Sequence, residues 1–541
     1  MTQDLGQWRN GVEPIRVAGL SASRMTADRG GRIMSRAETH GAMAATKRNR
    51  RSASISRRRF LQGIVGGAFA ATGAPAFARG QSGPGDLAVT PRNILVLGAG
   101  MSGLTAALAL HQRGHDVTIL EYQNRVGGRV LSVQLPDGQV SEAGAGHFRS
   151  NMPLALSYVR WFDLPIVSLN DGLPRYLVDG ETANAANLAD WPWPLTESER
   201  GVSVSSNLNR YLFLNGLNTN EVLDPAWPDQ ATMERFNDIT LRDLVAQVGA
   251  SDAFISLLDA HGGTFTSQST ALFALPDLAY HFGDQNLFRI RGGNEQLPQA
   301  MAELLGDRIV LDAPVTAIDQ TGPRVKVTVR GGREFFGDAI ISTIPFTIIP
   351  EIDVRPAWSA GKERMFQEMS WSNTVKVIVQ TRTPSWLDHG VHGWPMAGGD
   401  RSWERVIDIT GDEPGGRGNA FFYLNGKNAA NVLARPREVR ALETVEAFQA
   451  DMPDLLDEVL HIEDFAWSEQ PWIRASFGEP SDGGGWMIAE WTRPEGRIHF
   501  AGDFTSLKSG WIEGAIESGL RAARQIDPAA PSAGRQEPDA E

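Results

Sequence analysis

Three glycines with the spacing Gly98-x-Gly100-x-x-Gly103 follow an apolar strand and open a helical segment. In this context Gly98 permits a tight turn, Gly100 lets the backbone approach a pyrophosphate, and Gly103 lets the helix pack closely on the strand. Glu121 follows the next apolar stretch about 20 residues later, where a carboxylate would accept hydrogen bonds from a ribose and disfavour a 2′-phosphate. The spacing predicts a dinucleotide site for FAD or NAD rather than NADP.

A single lysine lies in a stretch where a charge is costly. Lys376 interrupts the β-branched run Val375-Lys376-Val377-Ile378-Val379, and the chain has only six lysines. Burial of an ammonium group lowers its pKa unless an opposite charge or hydrogen bonds compensate. Two interpretations follow from these residues: an edge strand with its polar face in water, or an amine that takes part in chemistry in a dry site.

The segment Arg125-Val-Gly-Gly-Arg129 comes shortly after Glu121 and bears on which dinucleotide binds. Two adjacent glycines let the chain pass close to a phosphate or ribitol group, and Arg129 can pair with a pyrophosphate. This motif resembles the second fingerprint of the flavin amine oxidase superfamily, which includes monoamine, polyamine and L-amino-acid oxidases. The resemblance extends over residues 92–527 and implies FAD as the cofactor.

The same resemblance implies an α/β fold in which a Rossmann-like FAD-binding domain is interleaved with an α+β substrate-binding domain, the amine oxidase two-domain fold. Local patterns predict a hairpin turn at Asp137-Gly138, helical stretches around 153–163 and 238–260, and strands around 374–381 and 419–424. The predicted organisation is a twin-arginine signal region (1–78), a linker (79–91), FAD-binding segments (92–150, 288–349 and 466–527), substrate-domain segments (151–287 and 350–465) and a disordered tail (528–541).

In the superfamily, FAD threads between the N- and C-terminal parts of the chain, so separated regions build one cofactor site. The N-terminal residues that the resemblance assigns to FAD are Gly98, Gly100, Met101, Ser102, Gly103, Glu121, Arg129 and the turn Gly144-Ala145-Gly146-His147. Those assigned later in the chain are Val315, Asp503, Gly510, Trp511, Ile512, Glu513, Gly514 and Ala515. A helix starting near Gly510 would favour the negative charge of reduced flavin. The chain has no cysteine, which excludes a cysteinyl link. A histidyl link is formally possible, but no residue pattern points to one, so non-covalent FAD is expected.

The resemblance assigns the oxidation chemistry to three residues. Lys376 matches the lysine that holds a water beside flavin N5 and is tied to reoxidation by O2. Trp511 and Phe477 match two aromatic residues that flank the substrate amine, where flat rings restrict its orientation and exclude water. Such a site positions an amine for hydride loss to flavin N5 and needs neither a nucleophile nor a metal. The expected reaction converts an amine, O2 and water to an aldehyde or keto product, ammonia or a smaller amine, and H2O2.

The segment around His147 bears on substrate class. L-amino-acid oxidases have an arginine at the matching position, where its donors clamp the substrate carboxylate. Histidine here weakens the amino-acid interpretation, but Arg149 could reach the same pocket by a different path. Tyr423 resembles the tyrosine that assists carboxylate binding in those enzymes, and Gly510-Trp511 resembles their sequence more than the Gly-Tyr of monoamine oxidases.

The substrate site is therefore predicted at His147, Arg149, Tyr423, Gly510 and Trp511. A small amine is the favoured substrate, and an L-amino-acid oxidase is the alternative. A flavin desaturase or protoporphyrinogen-type oxidase, acting on C–C bonds, is a more distant alternative. Such an enzyme shares the N-terminal motifs but would not need the arrangement of Lys376 and Trp511.

Charge is distributed unevenly along the chain. There are 64 Asp and Glu against 51 Lys and Arg, yet the first 78 residues hold 13 basic and four acidic residues. The remainder is strongly acidic, which argues against nucleic-acid binding. The expected partners are a small amine or amino acid and O2, with a homodimer left open.

The basic N-terminal region has the features of an export signal. Ser56-Arg-Arg-Arg-Phe-Leu-Gln62 matches the twin-arginine pattern, and Ala76-Phe-Ala78 matches a cleavage site. The apolar run between them, residues 63–74, is too short for a stable membrane anchor. We therefore expect recognition by the twin-arginine export machinery, cleavage near Ala78, and a periplasmic or secreted enzyme.

This signal makes export depend on Arg57 and Arg58 together. Their replacement by two lysines should leave the enzyme in the cytoplasm with its flavin bound, because the pathway carries folded proteins. Cell fractionation with immunoblotting and flavin absorbance would measure both. Unchanged export of the double variant would show that this basic segment is not a twin-arginine signal.

Overall fold

The computed structural model describes residues 90–532 apart from 170–173, 218, 225–226, 262–265, 284–285, 390–395, 400, 412–415 and 481–482. The predicted signal region, nearly all of the linker and the end of the tail lie outside the described residues. The twin-arginine motif and the cleavage site near Ala78 therefore remain predictions.

The described chain contains both β-strands and α-helices. The strands are β1 (Asn93–Leu97), β2 (Asp116–Leu120), β3 (Ser132–Gln134), β4 (Val140–Glu142), β5 (Phe148–Arg149), β6 (Ile166–Leu169), β7 (Arg175–Val178), β8 (Glu181–Asn184), β9 (Leu287–Ile290), β10 (Ile309–Val310), β11 (Val315–Asp319), β12 (Val325–Val329), β13 (Glu334–Gly337), β14 (Ala339–Ser342), β15 (Asp353–Arg355), β16 (Trp371–Ser372), β17 (Thr374–Thr381), β18 (Met396–Ala397), β19 (Arg405–Asp408), β20 (Gly418–Asn425), β21 (Val459–Ala466), β22 (Phe477–Gly478) and β23 (Ile498–Phe500). The α-helices are α1 (Met101–Gln112), α2 (Pro153–Trp161), α3 (Val204–Leu214), α4 (Thr219–Val222), α5 (Gln230–Phe236), α6 (Leu241–Ala246), α7 (Asp252–His261), α8 (Ala271–Gly283), α9 (Gln296–Leu305), α10 (Ala360–Glu368), α11 (Gly426–Leu433), α12 (Arg437–Asp451), α13 (Trp486–Thr492) and α14 (Ile512–Ile526).

A five-stranded parallel sheet has the order β10-β2-β1-β14-β23. The central strand β1 is buried along Ile94–Leu97, a continuous apolar run typical of a strand covered on both faces. Its five strands come from three separated stretches of the chain, so each stretch depends on the others for its edge pairing.

Helices α1 and α14 pack against each other beside this sheet. A Cβ placed on Gly519 of α14 would lie 2.4 Å from the carbonyl oxygen of Ser102 in α1, so only glycine allows this approach. The contact brings the start of the C-terminal helix next to the glycine motif. The glycine motif near the start of the described chain and the helix near its end therefore lie side by side beside the sheet.

The parallel strands direct their carboxyl ends to one edge of the sheet. Gly98 follows β1, Glu121 follows β2, Thr343 follows β14, and Asp503 comes shortly after β23. Ligands of open parallel sheets bind at this edge, because the loops after several strands meet there. The edge is therefore where the dinucleotide motif should operate.

A seven-stranded sheet, in the order β21-β17-β20-β19-β18-β7-β8, forms the second half of the fold. Strand β17 lies between β20 and β21 and is buried at all eight positions. Lys376 in this strand is 4% exposed. The edge-strand interpretation of Lys376 is therefore wrong, because the strand has hydrogen-bonded neighbours on both sides.

The fold class is mixed α/β, with a Rossmann-like sheet interleaved with an α+β half, as the sequence predicts. The hairpin at Asp137-Gly138 is present as the antiparallel pair β3 and β4. The predicted segment boundaries stay predictions. Within the described ranges, no helix has both the length and the apolar character needed to cross a membrane.

Candidate active site

A cavity of about 440 Å³ is lined by the carboxyl edge of the parallel sheet and by one face of the seven-stranded sheet. Its volume is typical of cofactor and substrate sites, which span roughly 300–1,000 Å³. The predicted residues on its wall are Gly98, Gly100, Met101, Ser102, Glu121, Arg129, Gly144, Ala145, Gly146, His147, Val315, Lys376, Tyr423, Phe477, Asp503, Gly510, Trp511, Ile512 and Ala515.

The dinucleotide end of the cavity fits FAD in shape and polarity. Gly100 lies beside Gly127 and Gly128, so a side-chain-free groove runs past the start of α1. No side chain caps the first turn of α1, which leaves its N–H groups for a phosphate. Glu121 is buried here and accepts hydrogen bonds from the backbone N–H of Ala99 (2.7 Å) and Gln123 (2.8 Å).

An ion pair joins the N-terminal and C-terminal motifs. The guanidinium of Arg129 contacts both carboxylate oxygens of Asp503, with Nη1 at 2.9 Å from Oδ2. Asp503 also accepts from the backbone N–H of Gly510 at 2.8 Å, and Arg129 donates to the carbonyl of Ser476. Arg129 lies on the cavity wall, but its charge is matched by Asp503, so a pyrophosphate would meet a paired guanidinium.

The Lys376 side chain crosses from the seven-stranded sheet to the turn near His147. Its Nζ donates to the carbonyl oxygens of Glu142 (3.0 Å) and Gly144, and it lies 3.8 Å from the ring centroid of Phe421. These contacts hold the amine on the cavity wall. A Cβ on Gly146 would lie 2.8 Å from the Phe421 ring, so a larger residue there would displace the ring.

Burial changes the protonation of this region. It lowers the pKa of Lys376 to about 7, and it raises the pKa of Glu142 to about 7. The Glu142 carboxylate accepts from the Ser132 hydroxyl and the Asn294 N–H, both at 2.8 Å. A lysine that can lose its proton near neutral pH is a feature of functional sites.

Trp511 is fixed by one hydrogen bond and by ring contacts. Its indole N–H donates to Asp277 Oδ1 at 2.8 Å. Its ring centroid lies 5.7 Å from His147, 5.5 Å from Tyr280 and 5.4 Å from His281. The indole therefore has little freedom to turn, as an orienting wall for a substrate requires.

Phe477 lies beside the glycine that precedes Trp511. A Cβ on Gly510 would be 3.6 Å from Cβ and Cγ of Phe477. Strand β22, which contains Phe477, pairs with Ser372 in β16. Two aromatic residues thus reach the cavity wall from separate elements, and their contact with a substrate amine stays a prediction.

Two buried imidazoles line the same region. Burial lowers the pKa of His147 well below its usual value, and the charge of Arg149 lowers it further. Burial and then Arg149 have the same effect on the pKa of His281. Both rings are uncharged near neutral pH, so they present polar nitrogens without repelling an ammonium group.

Arg149 does not reach the cavity wall. It lies in the short strand β5, in register with Leu287 of β9, and is 2% exposed. His147 lies just before this strand and lines the cavity, whereas Arg149 is not among the lining residues. Its predicted contact with the substrate is not supported by this position, although its charge acts on the neighbouring imidazoles.

Three residues predicted to contact FAD instead support the packing around the site. A Cβ on Gly103 would lie 2.1 Å from the Gly98 carbonyl oxygen, and one on Gly514 would lie 2.2 Å from the Lys508 carbonyl oxygen. Glu513 accepts hydrogen bonds from the backbone N–H of residues 154 and 155, at 3.0 and 2.8 Å, and so caps the start of α2. These residues lie behind the wall.

Sequence reasoning missed Arg405, His281 and Asp277. Arg405 and His281 lie on the cavity wall, and Asp277 holds Trp511. A signal existed for the last two, because they are ionisable residues four apart in an otherwise apolar helix. Arg405 follows Trp403-Glu404 in a mixed polar stretch, where hydropathy gives no sign of burial.

The sequence profile of the family described as "Flavin containing amine oxidoreductase" matches residues 101–527. The chain belongs to this family. FAD is accordingly its cofactor, and it is an oxidoreductase of the amine oxidase type. The glycine groove, the open helix start and the aromatic pair are the parts of this chain that suit that family.

Individual relatives are distant but cover most of the chain. The flavin-dependent L-tryptophan oxidase RebO of Lentzea aerocolonigenes is 26% identical over 81% of this chain and 98% of its own. The flavin-containing amine oxidase A of Sus scrofa is 25% identical over 80% of this chain and 84% of its own. Putrescine oxidase bound to putrescine superposes with a TM-score of 0.68 at 21% identity, covering 81% and 99%. The relatives include enzymes named for amines and for amino acids.

No cluster of three or more metal-ligating side chains occurs among the residues with a described position.

Substitution of Gly100 tests the cofactor groove, because it can block FAD binding while the protein still folds. A Cβ at this position has the Cα of Gly128 as its nearest neighbour, at an ordinary van der Waals distance of 3.9 Å, so the protein leaves room for a Cβ there. Gly100→Val should fold but fail to load FAD, because its side chain would occupy the path of the pyrophosphate. Flavin absorbance per protein, with circular dichroism for the fold, measures this.

Gly322→Val is the matched control, since that glycine lies in an exposed turn away from the cavity. It should load FAD as the wild type does. Stoichiometric FAD in the Gly100 variant would place the pyrophosphate elsewhere.

Proposed function

We propose that this protein is an FAD-dependent oxidase that deaminates a small amine with O2. The products are an aldehyde or keto compound, ammonia or a smaller amine, and H2O2. The observation that carries this proposal is the buried Lys376 on the cavity wall, held by two backbone carbonyls. Trp511 and Phe477 line the same cavity.

Bound FAD would supply the hydride acceptor and the route for electrons to O2. The protein would position the substrate amine and exclude water from the site. Trp511, fixed by Asp277, and Phe477 would restrict the amine to one orientation. Neutral His147 and His281 would allow an amine to approach without charge repulsion.

Lys376 has hydrogen-bonding capacity beyond its two carbonyl partners. An ammonium has three donors, and the carbonyls of Glu142 and Gly144 take two. The third, or the lone pair of the neutral amine, remains for a water in the cavity. This capacity supports the role that the family resemblance gives to the lysine, in reoxidation by O2.

An L-amino-acid oxidase is the second candidate, favoured by a specific observation. Tyr423 lies on the cavity wall in register between Lys376 and Arg405. A phenol beside a guanidinium suits a carboxylate. The similarity to RebO, named an L-tryptophan oxidase, agrees with this reading.

The remaining parts of the proposal concern attachment, export and assembly. We propose that FAD is held non-covalently, because the chain contains no cysteine for a thioether link. The basic segment around Arg57 and Arg58 supports export by the twin-arginine route to the periplasm or medium. A homodimer remains open.

A peroxidase-coupled screen tests the reaction class. The purified holoenzyme should release H2O2 with at least one member of a panel of primary amines, diamines and L-amino acids, and consume equimolar O2 in an oxygen electrode. The control is heat-denatured enzyme in the presence of the same concentration of FAD, free in solution. Oxidation of a C–C bond in a desaturase-type substrate, with no amine turned over, would contradict the proposal.

Lys376→Met tests the lysine directly. Methionine keeps most of the length and apolar bulk, so the sheet should still form. Loss of one positioned polar group in a dry site typically costs about 10²–10³ in rate, so reoxidation by O2 should slow by that factor. Anaerobic flavin reduction by substrate should change by less than about tenfold. Stopped-flow absorbance resolves the two half-reactions.

Lys326→Met is the matched control, because that lysine pairs with Glu334 on the surface. It should leave both half-reactions unchanged. Reoxidation at the wild-type rate in the Lys376 variant, with normal FAD content, would remove the lysine from the oxygen chemistry.

A further inference from the structure

Three polar residues form a row across neighbouring strands of the seven-stranded sheet. Lys376 of β17 is in register with Tyr423 of β20, and Tyr423 is in register with Arg405 of β19. Directly opposed residues of antiparallel strands point to the same face. All three line the cavity, so one face of the sheet presents an amine, a phenol and a guanidinium in order.

Strand spacing sets the length of this row. Neighbouring strands lie about 4.8 Å apart, so the backbones that carry Lys376 and Arg405 are separated by roughly 10 Å. A small molecule with its amine in the lysine region can therefore meet Arg405 with its other end. The row therefore sets the distance between the amine and the second polar group of a substrate only a few bonds long.

Arg405 is buried, and its guanidinium group, which is rich in hydrogen-bond donors, lies on the cavity wall. It is 1% exposed, and it forms an ion pair with Glu404, whose Oε1 lies 3.9 Å from its Nη2. The other oxygen of Glu404 accepts from the backbone N–H of Asn425 at 2.9 Å. A planar guanidinium matches a carboxylate in two parallel hydrogen bonds.

The acids near this end of the cavity lie behind its wall. Glu142, Asp277 and Glu404 are buried but do not belong to the lining, whereas Arg405 and Lys376 do. The carboxylates that do line the cavity are Glu121, Glu351 and Asp503, and they are associated with the nucleotide edge or with the arginine pairs of that region. A substrate would thus meet cations and neutral donors at the sheet face.

We propose that the substrate is an amine that also carries a carboxylate, and that Arg405, assisted by Tyr423, binds this carboxylate. The proposal rests on the proposed amine oxidation and narrows its substrate class. It replaces Arg149, which is buried away from the wall, as the residue that selects for the acid group. The carboxylate can belong to an α-amino acid or lie further along an amino-acid chain.

Matched substrate pairs test this selection. L-Phenylalanine against phenethylamine and L-leucine against isopentylamine examine an α-carboxylate, while 5-aminopentanoate against pentylamine examines a distant one. Anaerobic flavin reduction in the holoenzyme gives the apparent affinity and limiting rate for each. The wild type should favour the carboxylated member of at least one pair by about a hundredfold or more, as expected for a buried charge-assisted contact.

Arg405→Gln should lower efficiency for that carboxylated member by about a hundredfold and change its decarboxylated partner by less than about threefold. Arg405→Lys keeps the charge without the planar donors and should fall between. Arg382→Gln, at an exposed surface pair with Glu458, is the matched control. Circular dichroism and FAD content verify that each variant is folded.

Preference for the decarboxylated member of every pair, or equal losses for both members in the Arg405 variant, would overturn the proposal. Loss of selection in Arg149→Gln, with selection unaffected in Arg405→Gln, would assign carboxylate binding to Arg149 and would also overturn the proposal.

A binding measurement distinguishes failure of the proposed carboxylate site from failure of the proposed reaction. Benzoate should perturb the flavin spectrum of the wild type but not of the Arg405→Gln variant, with benzamide inert in both, even if no amine reduces the flavin. Equal responses to benzoate would contradict the carboxylate site.

Discussion

The paired charges of Arg129 and Asp503 are the contact on which the cavity depends. They connect the second glycine motif to the segment after the last strand of the parallel sheet, and Asp503 extends the connection to the Gly510 N–H. Removing one partner of a mostly buried pair typically costs about 3–5 kcal/mol, because the remaining charge stays desolvated. The pair therefore holds both the groove for the nucleotide and the start of the segment that carries Trp511.

The second half of the site is set by a sheet rather than by loops. Strand β17 is enclosed by two neighbours, so its side chains cannot turn away without loss of pairing on both sides. Lys376 extends from this strand to the carbonyls of Glu142 and Gly144, in the N-terminal part of the chain. This contact joins the two halves of the fold at the place where the flavin chemistry is proposed, and it explains why a buried lysine is tolerated there.

The sequence predicted the residues whose types are unusual in their surroundings. The glycine spacing, Glu121 and the lysine in a β-branched strand stand out without knowledge of the fold, whereas the family resemblance was needed to assign Trp511. Arg405 did not stand out, because its position on the cavity wall depends on strand pairing between distant segments. The stretch 238–260, predicted as one helical region, is two helices, since Gly249 lies in a left-handed conformation between α6 and α7.

Sheet register positions the residues that face the substrate, and loop geometry forms the groove for the cofactor. Eight consecutive pairs fix β17 against β20, and four fix β20 against β19. A shift of one residue in either register would turn one member of the Lys376–Tyr423–Arg405 row to the opposite face. The cofactor edge relies on glycines in its loops and on one ion pair between two distant loops. Substrate selection can therefore change through single residues on the sheet face, whereas the flavin groove constrains the loops of the whole parallel edge.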